Sequence, residues 1–208
     1  MNNYLKFVGA KTPLNSKTWG KLTVESASFT PTIDGDLVVY FGKLPPYKNN
    51  ERVLVRINSL CVFSEVFDCD LCDCADQLKI AMTELKKHGG ILFYLRHEGR
   101  GAGLAAKVKA TALEIEGMDT WDSRVQIGVQ PESRDFSKIG KFLIKNGIKK
   151  ITLLTNNPNK KNDLVKEGVD VEIKPLVVKN QNANVKKLYE TKRERFGHLI
   201  DKKLTDEQ

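Results

Sequence analysis

Hydrophobic and polar residues alternate along short runs in the first sixty positions. Residues 21–29 and 52–57 follow a period of two, which is typical of strands with one buried face. Between them, residues 37–41 form a continuous apolar run that predicts a buried strand. The pattern therefore predicts a β-rich N-terminal part over about residues 1–60.

A helical period replaces this alternation from about Asp76. Apolar residues recur at positions 78, 81, 82 and 85, and Gly89-Gly90 ends the predicted helix. The same reasoning predicts strands at 91–95, 151–154 and 169–173, and helices at 104–115, 138–146, 160–166 and 185–196. The last helix is strongly charged, which predicts a position on the surface.

The alternation of strands and helices in the second half is typical of an α/β fold. We expect a single domain over residues 1–208. In it, an α/β part at about 61–200 joins the β-rich part, giving a mixed sheet with flanking helices.

Composition and charge narrow the classes of partner. The chain has 208 residues, 40% hydrophobic and 29% charged, which excludes disorder as the main state. Lys and Arg exceed Asp and Glu by 34 to 26, a net charge of +8 that favours an anionic partner. The first residues lack the apolar segment of a signal peptide, and no apolar run approaches the ~20 residues of a membrane span. We therefore expect a cytoplasmic protein without a membrane partner.

Four cysteines lie close together, at positions 61, 69, 72 and 74. Disulfides are rare in a reducing compartment, and clustered thiolates suit zinc, which favours sulfur ligands. A structural site would use all four thiolates, whereas a catalytic site would use three and keep one position open. Both arrangements are compatible with the spacing.

Two loops join a predicted strand to a predicted helix and resemble phosphate cradles. Residues 96–103 are rich in glycine and include Arg100, and the following helix would offer free amides to an anion. Residues 154–161 include Thr155 and Lys160 in the same context. An ordinary loop and a common Asn-Asn-Pro turn are the alternative interpretations. The alternating charges at 132–135 are typical of solvated or mutually paired side chains.

Seven segments, in order and at nearly constant spacing, resemble the GTP cyclohydrolase II family, whose zinc enzymes open the riboflavin pathway. The resemblance covers about residues 52–200 and rests on residues 55–61, 72–77, 94–100, 117–120, 134–136, 153–158 and 189–199. It implies hydrolysis at C8 of the guanine ring of GTP, with release of pyrophosphate and formate. It also implies Zn²⁺, Mg²⁺ on the triphosphate, and a homodimer.

The resemblance assigns site residues by position. The zinc ligands fall on Cys61, Cys72 and Cys74, and Cys69 has no counterpart. Arg134 matches an arginine nucleophile that attacks the α-phosphorus, and Glu132 and Thr111 complete the catalytic set. The substrate contacts fall on Arg56, Asn58, Ser59, Gln77, Glu98, Gly99, Arg100, Thr120, Thr155 and Lys160.

The sequence departs from the family pattern at five positions. A histidine and a glutamate of the pattern are replaced by Asn58 and Leu60, and a tyrosine by Thr111. Leucine makes no hydrogen bond to the edge of a guanine, whereas a carboxylate does. Glu132 stands in place of an aspartate and keeps its charge, and Ser133 replaces a glutamate. These changes lie at the end of the predicted site that would hold the base and the metal. The metal ligands themselves and the residues on the phosphate side match the family pattern.

Three alternatives follow from these departures and from the charge. A divergent paralogue could stop at a ring-opened, still formylated product or serve another pathway. A non-catalytic relative would bind the nucleotide without turnover. A basic zinc module for nucleic acid is disfavoured, because the basic stretches lack the interleaved aromatic residues that stack on bases. We therefore expect no nucleic-acid partner.

Overall fold

A seven-stranded mixed sheet forms the centre of the computed structural model, which describes residues 3–31, 35–48, 50–176, 178 and 181–204. Both ends of the predicted domain, 1–2 and 205–208, lie outside these residues. The strands are β1 (Lys11–Ser16), β2 (Gly20–Ala27), β3 (Asp36–Phe41), β4 (Arg52–Ser59), β5 (Gly90–Leu95), β6 (Lys150–Leu154) and β7 (Asp170–Lys174). The α-helices are α1 (Val62–Glu65), α2 (Cys74–His88), α3 (Leu104–Ile115), α4 (Asp122–Gln126), α5 (Ser137–Lys145), α6 (Pro158–Lys166) and α7 (Ala183–Phe196).

The strand order, β1-β2-β3-β5-β4-β6-β7, divides the sheet into two halves. β1, β2, β3 and β5 pair antiparallel, whereas β5, β4, β6 and β7 pair parallel. The chain leaves β4 for β5 on one side and later returns to β6 on the other side. This is a topological switch point, where a crevice opens at the carboxyl ends of parallel strands.

The alternation along β4 divides its side chains between the two faces of the sheet. Val53, Val55 and Ile57 belong to the main buried cluster, which includes Ile139 and Leu143 of α5 and Leu164 of α6. On the opposite face, α2 packs Leu85 into a second cluster and Ala81 into a third. Arg56 and Asn58 share this second face, where both are buried. β4 therefore places two polar side chains beside the start of α2.

The structure confirms the mixed α/β class and most of the predicted elements, which differ from it by one or two residues at their ends. β1, α1 and α4 were absent from the sequence prediction. α7 has the exposed charged face expected of a surface helix, at Lys187, Glu190 and Glu194, but its other face is buried at Val185 and Tyr189. Among the helices that the structure describes, none is long and apolar enough to cross a membrane.

Candidate active site

One cavity lies at the carboxyl ends of β4, β5 and β6. All sixteen residues predicted to form the site line it, so the fold brings them together. They are Arg56, Asn58, Ser59, Cys61, Cys72, Cys74, Gln77, Glu98, Gly99, Arg100, Thr111, Thr120, Glu132, Arg134, Thr155 and Lys160. Leu60 lines the same cavity. The roles assigned to these residues stay predictions.

Three of the four cysteines form a cluster that could hold a metal ion. Cys61 follows β4, Cys74 begins α2, and Cys72 lies in the turn between them. Their sulfur atoms lie within 4.8 Å of one another, and Cys61 Sγ is 3.6 Å from Cys72 Sγ. Cys69 also lines the cavity but is not part of this cluster.

The charge around the thiols suits a cation with sulfur ligands. Hydrogen bonds with Cys72 and Cys74, together with the positive charge of Lys107, lower the pKa of Cys61. Lys107 Nζ lies 3.1 Å from Cys61 Sγ. Metals bind the thiolate, and three thiolates are a donor set of catalytic zinc sites. The residues therefore fit a zinc ion.

Glu98 links the thiol cluster to the Gly-rich loop. Its Oε1 accepts a hydrogen bond from the Val62 amide at 2.6 Å, and its Oε2 accepts one from Lys107 Nζ at 2.9 Å. Opposing effects act on Lys107: burial lowers its pKa, but the charges of Cys61 and Glu98 and hydrogen bonds to them raise it by more. The carboxylate therefore orders the residues around Cys61.

A polar network connects β4 to the start of α2. Arg56 donates to the Leu154 carbonyl at 3.1 Å, to Asn58 Oδ1 at 3.1 Å and to Gln77 Oε1 at 3.4 Å. Gln77 in turn donates to Asp73 Oδ2 at 2.7 Å. Within the described residues, the buried Nε of Arg56 has no hydrogen-bond partner. Burial lowers the pKa of this guanidinium to about 10.

Glu132 and Arg134 form a bidentate ion pair. Arg134 Nε donates to Glu132 Oε1 at 2.7 Å, and Nη2 donates to Oε2. Arg134 Nη1 reaches Ser59 Oγ at 3.3 Å. Burial raises the pKa of Glu132, but hydrogen bonds and charge from Arg134 outweigh it and hold the pKa below its usual range. Of the alternating charges predicted as solvated or mutually paired, Glu132 and Arg134 are paired and line the cavity. Asp135 is exposed and accepts hydrogen bonds from Ser137.

The first turn of α6, which follows the loop after β6, holds a buried lysine. Pro158 begins α6 and the side chain of Asn157 caps it, accepting a hydrogen bond from the Asn159 amide at 2.9 Å. Lys160 donates to the Ile57 carbonyl at 2.8 Å. Burial and the nearby guanidinium groups of Arg56 and Arg134 hold the pKa of Lys160 well below its usual range.

The Gly-rich loop contributes to the cavity in a different way from that predicted. Gly99 and Arg100 line the cavity, but the first three residues of α3, at positions 104–106, do not. The expectation that free amides of this helix would face an anion is therefore wrong. Burial, with the charges of Arg124 and Arg134, lowers the pKa of Arg100 to about 9. The loop offers a guanidinium group in place of a helix end.

Several lining residues were missed by the sequence prediction. Arg124 donates to Thr120 Oγ1 at 2.8 Å and to Glu114 at 2.9 Å, and so orients a predicted substrate contact. The end of α7 and the residues after it add Leu188, Lys192, Phe196, His198 and Ile200. The resemblance at 189–199 was the signal that could have found three of them: Lys192, Phe196 and His198. Arg124 and Lys107 stand in no quoted motif.

Cations outnumber carboxylates among the lining residues. Seven lining residues are lysine or arginine: Arg56, Arg100, Lys107, Arg124, Arg134, Lys160 and Lys192. Three are glutamate: Glu98, Glu114 and Glu132. Burial and the charges of the neighbouring cations, Lys192 first among them, lower the pKa of His198 to about 2. The cavity therefore favours an anionic ligand.

Comparison with known proteins agrees with this geometry. The model of the family described as GTP cyclohydrolase II matches residues 8–176. The chain belongs to the GTP cyclohydrolase II family. This membership confirms the predicted family and the prediction of an enzyme of this kind.

Relatives from several bacteria support the family assignment. The GTP cyclohydrolase-2 of Buchnera aphidicola subsp. Schizaphis graminum is 37% identical over 186 residues, covering 88% of this chain and 93% of the relative. That of Psychromonas ingrahamii is 38% identical over 167 residues, covering 79% and 81%. The riboflavin biosynthesis protein RibBA of Endomicrobium trichonymphae is 40% identical over 157 residues, or 74% of this chain, but the match spans only 39% of that longer protein.

Proposed function

We propose that this protein is a zinc-dependent hydrolase that opens the imidazole ring of GTP, or of a related purine nucleoside triphosphate, at C8 and releases pyrophosphate and formate. One observation carries the proposal: a single cavity holds both a three-thiol cluster and an excess of cations. The thiols suit zinc, and the cations suit a triphosphate. The names of the relatives, GTP cyclohydrolase-2 and riboflavin biosynthesis protein, support the substrate and the pathway.

Cys61, Cys72 and Cys74 would hold the zinc ion. Bound there, zinc would supply the Lewis acid that activates water for hydrolysis at C8. Lys107 keeps a positive charge beside the Cys61 sulfur and offsets part of the negative charge of the thiolates. Mg²⁺ would accompany the triphosphate.

Glu132 and Arg134 would act on the phosphate side. The Arg134 nitrogen would attack the α-phosphorus, forming an N–P bond as the bond to the pyrophosphate oxygen breaks. Water would then cleave the N–P bond, which frees the nucleotide and restores the arginine. Before it can attack, the guanidinium must lose a proton, and the carboxylate of Glu132 lies within hydrogen-bond reach to accept it. The lowered pKa of Glu132 keeps this carboxylate ionised at neutral pH.

Arg56, Asn58, Ser59 and Gln77 would contact the substrate near β4. The Nε of Arg56, which has no partner in the part of the chain that the structure describes, offers a donor to a ligand, because a buried donor without a partner is costly in free energy. Lys160, Thr155 and Arg100 would contact the triphosphate. A cytoplasmic homodimer belongs to the same proposal, and light scattering of the purified chain would test the dimer.

A second candidate product is favoured by Thr111 and Leu60, which both line the cavity. Threonine is shorter than the tyrosine of the family pattern and does not reach as far. The enzyme would then stop at a ring-opened, still formylated nucleotide. Leu60 makes no hydrogen bond to the base, so another purine triphosphate is a possible substrate within this proposal.

The test is to incubate the purified protein with GTP, Zn²⁺ and Mg²⁺ and to measure ring-opened product, formate and pyrophosphate separately. All three products are expected from the standard reaction, and ring opening with pyrophosphate but without formate would select the second candidate. Tight GTP binding without any product would overturn the enzymatic proposal. ATP and ITP in parallel reactions would reveal an altered base preference.

A further inference from the structure

Arg100 depends on its surroundings for its position. Its backbone lies in the left-handed region, at φ 59°, which non-glycine residues seldom adopt. Among the residues that the structure describes, its guanidinium makes one long hydrogen bond, of 3.4 Å, to the Thr120 carbonyl. A guanidinium has five donors, so this contact leaves most of them for a ligand but does little to orient the group.

The ring of Phe196 supplies the missing support. The centre of this ring lies 4.1 Å from the Cζ atom of Arg100. Stacking on an aromatic face attracts a guanidinium and leaves the donors at its edge unoccupied. Phe196 lies in the last turn of α7, outside residues 8–176, which the family model matches.

The ring is held in place by the segment around α4. Trp121 packs edge-on against Phe196, with ring centres 4.8 Å apart. The neighbouring Arg195 forms an ion pair of 2.7 Å with Asp122. Phe196 therefore contacts both Trp121 and Arg100, and the Arg195–Asp122 pair holds the end of α7 beside α4.

α7 is also attached to the turn that carries the cysteines. The buried carboxylate of Asp73, between Cys72 and Cys74, accepts a hydrogen bond from Tyr189 and forms an ion pair of 3.5 Å with Lys192. Beyond the helix, the Leu199 amide donates to the Asn156 carbonyl at 2.8 Å. α7 is thus joined to the thiol cluster, to α4 and to the loop after β6.

We propose that Phe196 is a positioning residue that orients Arg100 toward the phosphate groups of the substrate, so that α7 is part of the binding site. This inference rests on the proposed function, because it assumes a phosphorylated ligand. The aromatic face of Phe196 carries this role. An aliphatic side chain of similar size would fill the same space, but it would not attract the guanidinium.

Three variants of the full-length, zinc-loaded protein test this role. Phe196→Leu is expected to weaken binding of a non-hydrolysable GTP analogue between about 2-fold and 30-fold, the range of a cation–π contact. Phe196→Tyr keeps the ring and is expected to restore binding to within 2-fold. Phe7→Ala removes an exposed ring that is outside the cavity and serves as the matched control.

Titration calorimetry with two ligands separates positioning from a loss of structure. The Phe196→Leu variant is expected to bind guanosine, which lacks phosphates, as the wild-type protein does. Equal binding of the GTP analogue by this variant and the wild-type protein would overturn the inference, and so would a parallel loss of both ligands. A wild-type protein that binds neither ligand would instead overturn the proposed function.

Discussion

Glu132 and Arg134, which are separated by one residue, form an ion pair that lines the cavity. The bidentate contact fixes the guanidinium plane, and the third nitrogen turns toward Ser59. A glutamate at position 132 has the reach to make this contact. The ion pair therefore serves the stability of the loop as well as the proposed chemistry.

Glu132→Gln is expected to lower the free energy of unfolding by roughly 1–3 kcal/mol at pH 7, because Arg134 loses its charged partner. The folded-state pKa of Glu132 is lowered, so its contribution is fully present above the unfolded value of about 4.3 and is lost as the pH falls through the lowered pKa. Denaturant unfolding should therefore show a smaller difference in the free energy of unfolding between the variant and the wild type below pH 4.3 than at pH 7.

Glu51→Gln provides the control, because the Lys43–Glu51 pair is exposed and should contribute little at either pH. A difference between Glu132→Gln and wild type that stays constant down to low pH would contradict the role assigned to the Glu132–Arg134 pair.

Lys107→Gln is expected to weaken zinc binding about 10- to 100-fold, the usual effect of removing a partner of a metal ligand. The change removes the positive charge 3.1 Å from Cys61 Sγ and leaves Glu98 without its ion pair. Competition with a chromophoric chelator measures the affinity. Lys109→Gln, an exposed position on the same helix, should bind zinc as wild type does, and equal affinities for both variants would refute the prediction.

At the scale of helices and strands, the sequence predicted the elements that have a clear pattern of apolar side chains. β5 is a continuous apolar run and α2 has a helical stripe, so both were found. β1 was missed because it is an edge strand with Pro13 and almost wholly exposed side chains, which leave no alternation to detect. α1 and α4 have four and five residues, too few to show a period.

The candidate site was predictable from motifs but not from periodicity. The cysteine group, Arg100, Thr155 and Lys160 stood out from their spacing and context, and the other site residues came from the resemblance to a family. The fold gathers all sixteen in one cavity. Lys107 was missed because its contact with Cys61 joins residues 46 positions apart and leaves no local signal. The charges of α7 predicted its exposed face but not its buried face, near which Lys192 contacts the buried Asp73.

Tyr189→Phe is expected to loosen α7, because the buried carboxylate of Asp73 loses a hydrogen bond that contributes roughly 1–3 kcal/mol. Hydrogen exchange should become faster in Ala183–Phe196, while the amides of β4 and β6 stay protected. Tyr47→Phe is the control, since its hydroxyl contacts the exposed Lys43 carbonyl. Unchanged exchange in α7 would show that this contact does not hold the helix.

At the scale of the whole molecule, a metal ion bound to the thiol cluster would raise the free energy of unfolding. A metal that binds only the folded chain stabilises it by about 2.7 kcal/mol when free metal is a hundredfold above its Kd. For a chain of this length that corresponds to roughly 5–10 °C in Tm. The three cysteines lie just after β4, in a turn and at the start of α2, so a metal bound to them would join these elements to one another.

Removal of zinc with a chelator is therefore expected to lower the Tm of the wild-type protein by that amount. Cys69→Ser should keep the full response, because Cys69 lies outside the cluster, whereas Cys72→Ser should abolish it. Calorimetric scans of the three proteins with and without zinc provide the measurement. A Tm that zinc leaves unchanged in the wild-type protein would contradict the assignment of the cluster.

The contact between Tyr189 and Asp73 also bears on the order in which the chain folds. These residues are 116 positions apart, and Lys160 and Ile57 are 103 positions apart. Contacts of such long sequence separation have a high entropic cost and slow the folding of a domain. During synthesis, the thiols leave the ribosome long before the helix that covers their turn. The thiols of the nascent chain therefore stay uncovered until α7 has been synthesised.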